Sequence, residues 1–258
     1  MRLALATLAI LAALPAAAQE DRGLRFTLAG GAQYAPTYPG SGEYEVRPDV
    51  GFRFQSLSLG NRFAIGDPDF DAVPDGFSLR GAFNYEGERE ADVSDRLTGL
   101  DDLDDAVELG LGAQYAGPGY RVFGEVRYGV TGHESFVGEV GADAVFAASD
   151  RLTLLAGPRA TIGSSGYNDY YFGVSDAEAA TAAGLGNEAI TGAYDPSSGL
   201  VSAGIELGAR YRLSDAWGVE GTVSYDRLES DAGDSPVVED RDQYGVGIRL
   251  TRRFTLDF

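Results

Sequence analysis

The chain has a single histidine, His133, and its neighbours are the first candidates for chemistry. Glu134 and Ser135 follow it in the segment TGHES (131–135). A histidine in reach of a serine can act as the base that activates the hydroxyl, provided that a third group orients the ring. The sequence identifies no such third group. We therefore expect a solvated turn histidine and a protein that is not an enzyme, with a hydrolase as the lesser hypothesis.

Asp67, Asp69 and Asp71 have the D-x-D-x-D spacing that opens a calcium loop. An EF-hand also needs glycine and glutamate further along the loop, where this chain has Ala72 and Ser78. The sequence excludes an EF-hand, leaves weak divalent binding open, and predicts no cofactor.

A second acidic segment contains Asp101, Asp102, Asp104 and Asp105. It has no ligand spacing, so we expect a solvated loop. Two functional alternatives stay open: divalent bridging to lipopolysaccharide phosphates, and repulsion of anionic solutes.

Four aromatic residues, Tyr167, Tyr170, Tyr171 and Phe172, precede a predicted short helix at 175–184. Ser175 and Glu178 have the spacing of a capping box at its start. An aromatic loop of this kind can be a binding surface or a plug, and the sequence does not choose between them.

The elements that must position these residues are β-strands. In the last stretch, 241–258, apolar side chains alternate with polar ones, which predicts a strand with two unlike faces. Together with the terminal aromatic residue, this pattern resembles the signal that the barrel assembly machinery of bacterial outer membranes reads. We assign that signal to Tyr244, Val246, Ile248, Leu250, Phe254 and Phe258.

The same alternation recurs from residue 24 to the end, with full charges on the polar face. A soluble sandwich can place such a face in water, whereas a membrane barrel turns the apolar face to lipid and the charges to a wet lumen. We predict that the lumen charges include Arg121, Glu125, Arg127, Arg159, Glu206, Arg210 and Arg249.

The connections support the barrel. Very short turns near 117, 149 and 215 alternate with long acidic segments at 86–105, 163–198 and 228–242, as in outer-membrane proteins with short periplasmic turns and long external loops. Trp217 then lies in the periplasmic aromatic girdle. We predict an all-β, transmembrane antiparallel β-barrel of about twelve strands, or about ten if adjacent runs merge. The uncertain region is 44–77, where the runs at 46–54 and 57–65 are short and Gly60 and Gly66 interrupt. Eleven runs are recognisable, and a hidden short strand in this region would make the even number that a barrel with both ends in the periplasm needs.

The N-terminus predicts export. Arg2, an apolar run from Leu3 to Leu14 and small residues at 16–18 form a signal peptide (1–18), which leaves 19–258 as one barrel domain. No later stretch is apolar enough for a membrane helix. With no cysteine there is no disulfide, and the net charge of −20 disfavours nucleic acid as a partner.

Several stretches resemble the MltA-interacting protein (MipA/OmpV) family of outer-membrane proteins. They are 30–54, 96–115, 167–185 and 225–250, and the most specific are YYFGVS (170–175) and DSPVV (234–238). The resemblance implies location in the cell outer membrane of a Gram-negative bacterium, among lipid and lipopolysaccharide. It also implies a scaffold that joins a lytic murein transglycosylase to a murein synthase. The family usually ends at a Tyr-basic-Phe tripeptide, where this chain has RRF (252–254) followed by TLDF.

We therefore expect a non-enzymatic scaffold for murein-remodelling enzymes, with a narrow channel for small solutes as the alternative. The scaffold has one difficulty, since short periplasmic turns offer a partner little surface.

Overall fold

The computed structural model describes residues 22–60, 64–66 and 76–258. The predicted signal peptide and the calcium-like residues Asp67, Asp69 and Asp71 lie outside this part of the chain. Among the described residues, no helix has the length and apolar character needed to cross a membrane.

The strands are β1 Arg22–Pro36, β2 Tyr44–Leu59, β3 Ala64–Gly66, β4 Gly76–Glu86, β5 Ala106–Gly117, β6 Tyr120–Gly129, β7 Phe136–Ser149, β8 Leu152–Gly163, β9 Gly199–Arg212, β10 Trp217–Leu228 and β11 Asp242–Asp257. The helices are α1 Ser165–Phe172, α2 Asp176–Gly184 and α3 Ser230–Asp234, with a 3-10 turn at Asp95–Leu97.

All of these strands belong to one antiparallel sheet, in the order β3-β2-β1-β11-β10-β9-β8-β7-β6-β5-β4. The first long strand pairs with the last, from Gly23 opposite Asp257 to Tyr34 opposite Val246. At the other side β4 lies against β2, where a Cβ on Gly81 would be 3.2 Å from Phe54 Cβ. The sheet therefore curls into a nearly closed barrel, which confirms the predicted fold class.

The described part of the chain contains ten long strands and the three-residue β3, so the fallback count fits and the expected twelve does not. The runs at 46–54 and 57–59 are one strand, β2. The pairing with β1 moves from Arg25–Ser56 to Phe26–Phe54, which leaves Gln55 as an extra residue. A β-bulge of this kind does not end a strand, but after it the apolar side chains fall on odd instead of even positions. In the sequence, the two halves of β2 therefore had the pattern of two separate strands.

The two faces of the strands differ as the alternation predicts. Leu111 and Ile248 point outward and are 76% and 62% exposed, whereas Glu108 and Arg127 point inward and are 1% and 7% exposed. Apolar side chains thus cover the outside of the barrel and charged ones fill its interior, which is the arrangement that a lipid environment favours.

Aromatic pairs mark both ends of the outer surface. Tyr128 packs on Phe136, with ring centroids 4.9 Å apart, at the end where the long loops lie (the loop end). Tyr115 packs on Tyr120, with centroids 6.4 Å apart, at the end with the short turns (the turn end). Trp217 also faces outward at the turn end, where the Arg252 guanidinium lies 5.1 Å from its ring centroid. Two aromatic belts are typical of a barrel that spans a membrane.

Replacing Gly31 with alanine should destabilise the barrel by about 2 kcal/mol, a typical cost of overpacking. The new Cβ would lie 2.0 Å from the backbone oxygen of Ile248, so β1 or β11 must shift at the closure of the sheet. Gly30 is the matched control, because its Cβ would meet nothing within 4 Å. Urea unfolding in lipid vesicles, followed by the gel mobility of unboiled samples, measures both. Equal midpoints for the two variants would contradict the close approach of these strands.

Candidate functional site

The lumen contains an upper ion-pair group, which we define as Arg80, Glu108, Glu125, Arg127 and Glu139. Arg127 Nε donates to Glu108 Oε2 at 2.7 Å, and its Nη1 lies 2.5 Å from Glu125 and 3.4 Å from Glu139. Arg80, on β4, reaches the same Glu125 at 3.1 Å. One guanidinium therefore ties three strands together inside the barrel.

A middle group surrounds the inward-facing ring of Phe123. The guanidinium carbons of Arg80, Arg121 and Arg159 lie 4.3, 5.1 and 5.1 Å from its centroid. Arg121 also pairs with Asp143, and Arg159 lies 2.7 Å from Asp143 and 2.9 Å from Glu206. Cation–π contacts and ion pairs together hold these side chains against the wall.

A lower group has one carboxylate at its centre. Glu220 lies 2.8 Å from Arg53, 3.5 Å from Arg210 and 3.2 Å from Arg249. Arg249 has a second partner, Asp49, at 3.4 Å. Three cations thus depend largely on one anion.

All seven predicted lumen charges lie inside the barrel, as Arg121, Glu125, Arg127, Arg159, Glu206, Arg210 and Arg249 all line one cavity. We did not predict their partners Arg53, Arg80, Glu139 and Asp143. Arg53 and Arg80 alternate with the apolar residues of β2 and β4, so parity was the signal that would have identified them. The cavity has a volume of about 510 Å³ and extends towards the turn end.

His133 is buried, not solvated as predicted. Its Nε2 lies 3.2 Å from Glu108 Oε1 and its Nδ1 lies 2.8 Å from Ser135 Oγ. The rings of Tyr167 and Tyr171 cover it, with centroids 5.0 and 5.8 Å away. Glu108 is the third group that sequence reasoning missed. However, Glu108 is already paired with Arg127, and Ser135 lines neither cavity that we describe. His133 therefore connects the 131–135 turn to Glu108 of the upper ion-pair group.

The long loops form a packed cap over the loop end. Its two apolar clusters are formed by Tyr38, Leu97, Leu100, Val174, Ala182, Ile190 and Val237, and by Tyr171, Phe172, Val201, Leu228, Ala232 and Val238. These residues come mainly from four different connections. The aromatic segment at 167–172 therefore packs into the cap, with Phe172 1% exposed, and belongs to a plug.

Hydrogen bonds fasten the cap. The predicted capping box of α2 is confirmed, because Ser175 N donates to Glu178 Oε2 at 2.8 Å and Glu178 N donates to Ser175 Oγ at 3.2 Å. Glu239 links three loops, since it accepts from the Tyr38 hydroxyl at 3.0 Å, from Gly42 N at 3.2 Å and from the Ser94 hydroxyl.

The acidic cluster lies on the outer surface of the cap. Asp101, Asp102, Asp104 and Asp105 are exposed. Asp102 accepts from Ala91 N at 2.7 Å, which stabilises the loop itself. Within the described ranges, no group of three histidine or acidic side chains is arranged to hold a metal ion.

The predicted assembly residues lie on the outer face of β11. Tyr244, Val246, Ile248 and Leu250 are exposed there, and Phe254 stacks on Phe26 with centroids 5.2 Å apart. The added residues 255–257 continue the strand, opposite Gly23, Leu24 and Arg25 of β1. Phe258 follows and is exposed.

An apolar outer wall, aromatic belts, a charged lumen and a loop cap together define an outer-membrane β-barrel protein. Comparison with solved structures finds weak similarity to other barrels. The translocator domain of the autotransporter NalP from Neisseria meningitidis matches with a TM-score of 0.41 and 12% identity, over 91% of this chain and 88% of that one. The Salmonella typhi OmpF structure has a TM-score of 0.34 and 13% identity, over 91% and 98%.

The chain belongs to the family described as MltA-interacting protein MipA, whose model matches residues 28–254. It is 38% identical to outer membrane protein Omp26La of Vibrio anguillarum over 91 aligned residues. These residues make up 35% of this chain and 32% of that protein. It is 35% identical to the MltA-interacting protein of Escherichia coli over 88 aligned residues, which make up 34% of this chain and 32% of the relative. The alignments thus span about a third of these relatives.

Replacing Glu108 with glutamine should destabilise the barrel by about 3 kcal/mol, because it leaves Arg127 short of a buried partner. Glu229→Gln is the control, since the Glu229 side chain is 40% exposed and lies 3.8 Å from Arg227; we expect a change within about 0.5 kcal/mol. Urea midpoints of the refolded variants measure both. A loss of stability no larger for Glu108→Gln than for Glu229→Gln would show that the lumen pairs do not stabilise the fold.

The cap should loosen in acid. Burial opposes ionisation of Glu239, but hydrogen bonds from Ser94, Gly42 and Tyr38 outweigh it and lower the pKa of this carboxyl. A lowered pKa means that the ionised group stabilises the folded cap above the unfolded-state pKa of about 4.3 and loses this effect as the pH falls through the folded-state pKa.

Near-ultraviolet circular dichroism of the cap tyrosines measures this transition. The Glu239→Gln variant should have a weaker signal at pH 7 and a smaller change on acidification. Glu188→Gln, in an exposed part of the same cap, should behave as the unchanged protein. Identical titrations for Glu239→Gln and the unchanged protein would exclude Glu239 as the acid-sensitive link.

Proposed function

We propose that this protein is a non-enzymatic scaffold of the outer membrane, and that it binds murein-remodelling enzymes at the turn end of the barrel. The observation that carries the proposal is the closure of the loop end. Buried clusters of Tyr38, Phe172 and Val237 seal the cap, and ion pairs line the lumen below it. A barrel closed in this way is suited to presenting a surface.

The turn end supplies such a surface. Asp150 and Arg151 in one turn, and residues 214–216 in another, are exposed. If the long loops face outward, as in other outer-membrane barrels, these turns face the periplasm. The name of the Escherichia coli relative, MltA-interacting protein, supports a transglycosylase as the partner.

A narrow channel is the second candidate, and one observation favours it. A second cavity, of about 400 Å³, shares Gln33, Pro48 and Tyr85 with the lumen cavity and extends to Glu88 and Asp105 in the loops. The two cavities together follow the wall at β1, β2 and β4, beside the cap.

Site-specific photo-crosslinking tests the scaffold. A benzophenone amino acid in place of Asp215, in the turn between β9 and β10, should crosslink a lytic murein transglycosylase or a murein synthase in intact cells. The same amino acid in place of Asp176, which is exposed on the cap, is the matched control and should not. Crosslinked proteins are identified by mass spectrometry.

The scaffold is wrong if positions in all the short turns give no envelope enzyme. Conductance steps of the purified barrel in planar bilayers would then establish the channel.

A further inference from the structure

Arginines outnumber carboxylates around the lumen cavity. Ten arginines and six carboxylates line it among the described residues, although the chain as a whole has a net charge of −20. Glu108 and Asp143 do not line the cavity themselves, but they are buried beside it and neutralise Arg127, Arg121 and Arg159 at the upper and middle levels. The excess of positive charge therefore lies lower, towards the turn end.

The lower group has too few anions for its cations. Glu220 is 8% exposed at its side chain and is shared by Arg53, Arg210 and Arg249. Arg53 Nη2 and Arg210 Nε lie 2.8 and 3.5 Å from the same oxygen, Glu220 Oε1, so the two guanidinium groups are close enough to repel each other. Like charges repel more strongly in a partly dry interior than in water. Glu220 and Asp49 face three arginines here, so a further anion among these side chains would stabilise them.

Donor atoms are available for that anion. Arg80 Nη1 is buried and has no hydrogen-bond partner among the described residues. Arginine presents its N–H groups as a planar fork, which matches the oxygens of a phosphate or carboxylate.

The cavity is accessible from the turn end. Arg151, Gly218 and Arg253 line it where the turns lie. At the opposite end lies the cap, with the second cavity beside it at β1, β2 and β4. Its volume of about 510 Å³ lies within the range of small-molecule sites, about 300–1,000 Å³.

We propose that this cavity binds a small polyvalent anion that carries phosphate or carboxylate groups and enters from the turn end. Arg53, Arg210 and Arg80 are the primary contacts, and Glu220 competes with the ligand for the first two. This site is independent of the murein partner, since it needs no protein at the turns.

Isothermal titration calorimetry of the refolded barrel in non-ionic detergent tests the site. Pyrophosphate and tricarballylate are the probes, and tighter binding of one assigns phosphate or carboxylate as the preferred group. The double variant Arg53→Gln/Arg210→Gln should weaken binding of the better probe by about tenfold or more, since two charged hydrogen-bond donors are lost. Arg241→Gln makes the same type of substitution once, in a loop ion pair with Asp234, and should leave binding within about twofold.

Glu220→Gln separates binding from folding damage. It removes the competing carboxylate, so it should tighten binding by about tenfold, whereas a merely structural defect would weaken it. The gel mobility of unboiled samples checks that each variant is folded. Absence of saturable binding by both probes, or weaker binding by folded Glu220→Gln, would overturn the proposal.

Discussion

The structure depends on one constraint, which is that lipid accepts neither a charge nor an unpaired backbone group. Strands must therefore pair around a closed circuit, and each charged side chain of the wall must point inward. Confinement makes the interior crowded, so that Arg127 serves three carboxylates and Glu220 serves three guanidinium groups. The ion-pair network follows from turning a polar face inward on a narrow barrel.

Local sequence patterns predicted the features that depend on this constraint alone. Alternation placed residues such as Ile248 outside and Arg127 inside, and the lengths of the connections separated the turn end from the loop end. The capping box at Ser175 was predictable for the same reason, because both its partners lie within one helical turn.

Features that depend on distant residues were not predictable. The bulge at Gln55 exists relative to β1, and nothing in β2 alone distinguishes a bulge from a break. The burial of His133 depends on Glu108 and on Tyr167, which lie on other elements. Likewise, the aromatic segment 167–172 became a plug through contact with other loops, a choice that its own composition left open.

The cap also bears on the order of events during assembly. Tyr38 and Glu239, which hydrogen-bond within it, are separated by 201 positions in the sequence, and their loops meet when β1 pairs with β11. Contacts between such distant residues form slowly. Until the circuit closes, Leu97, Phe172 and Ile190 have no interior to enter, so the nascent chain presents apolar loop surface as well as unpaired edges. Formation of the cap is thus a late step of assembly. A chain whose cap has formed has already paired its first long strand, β1, with its last, β11.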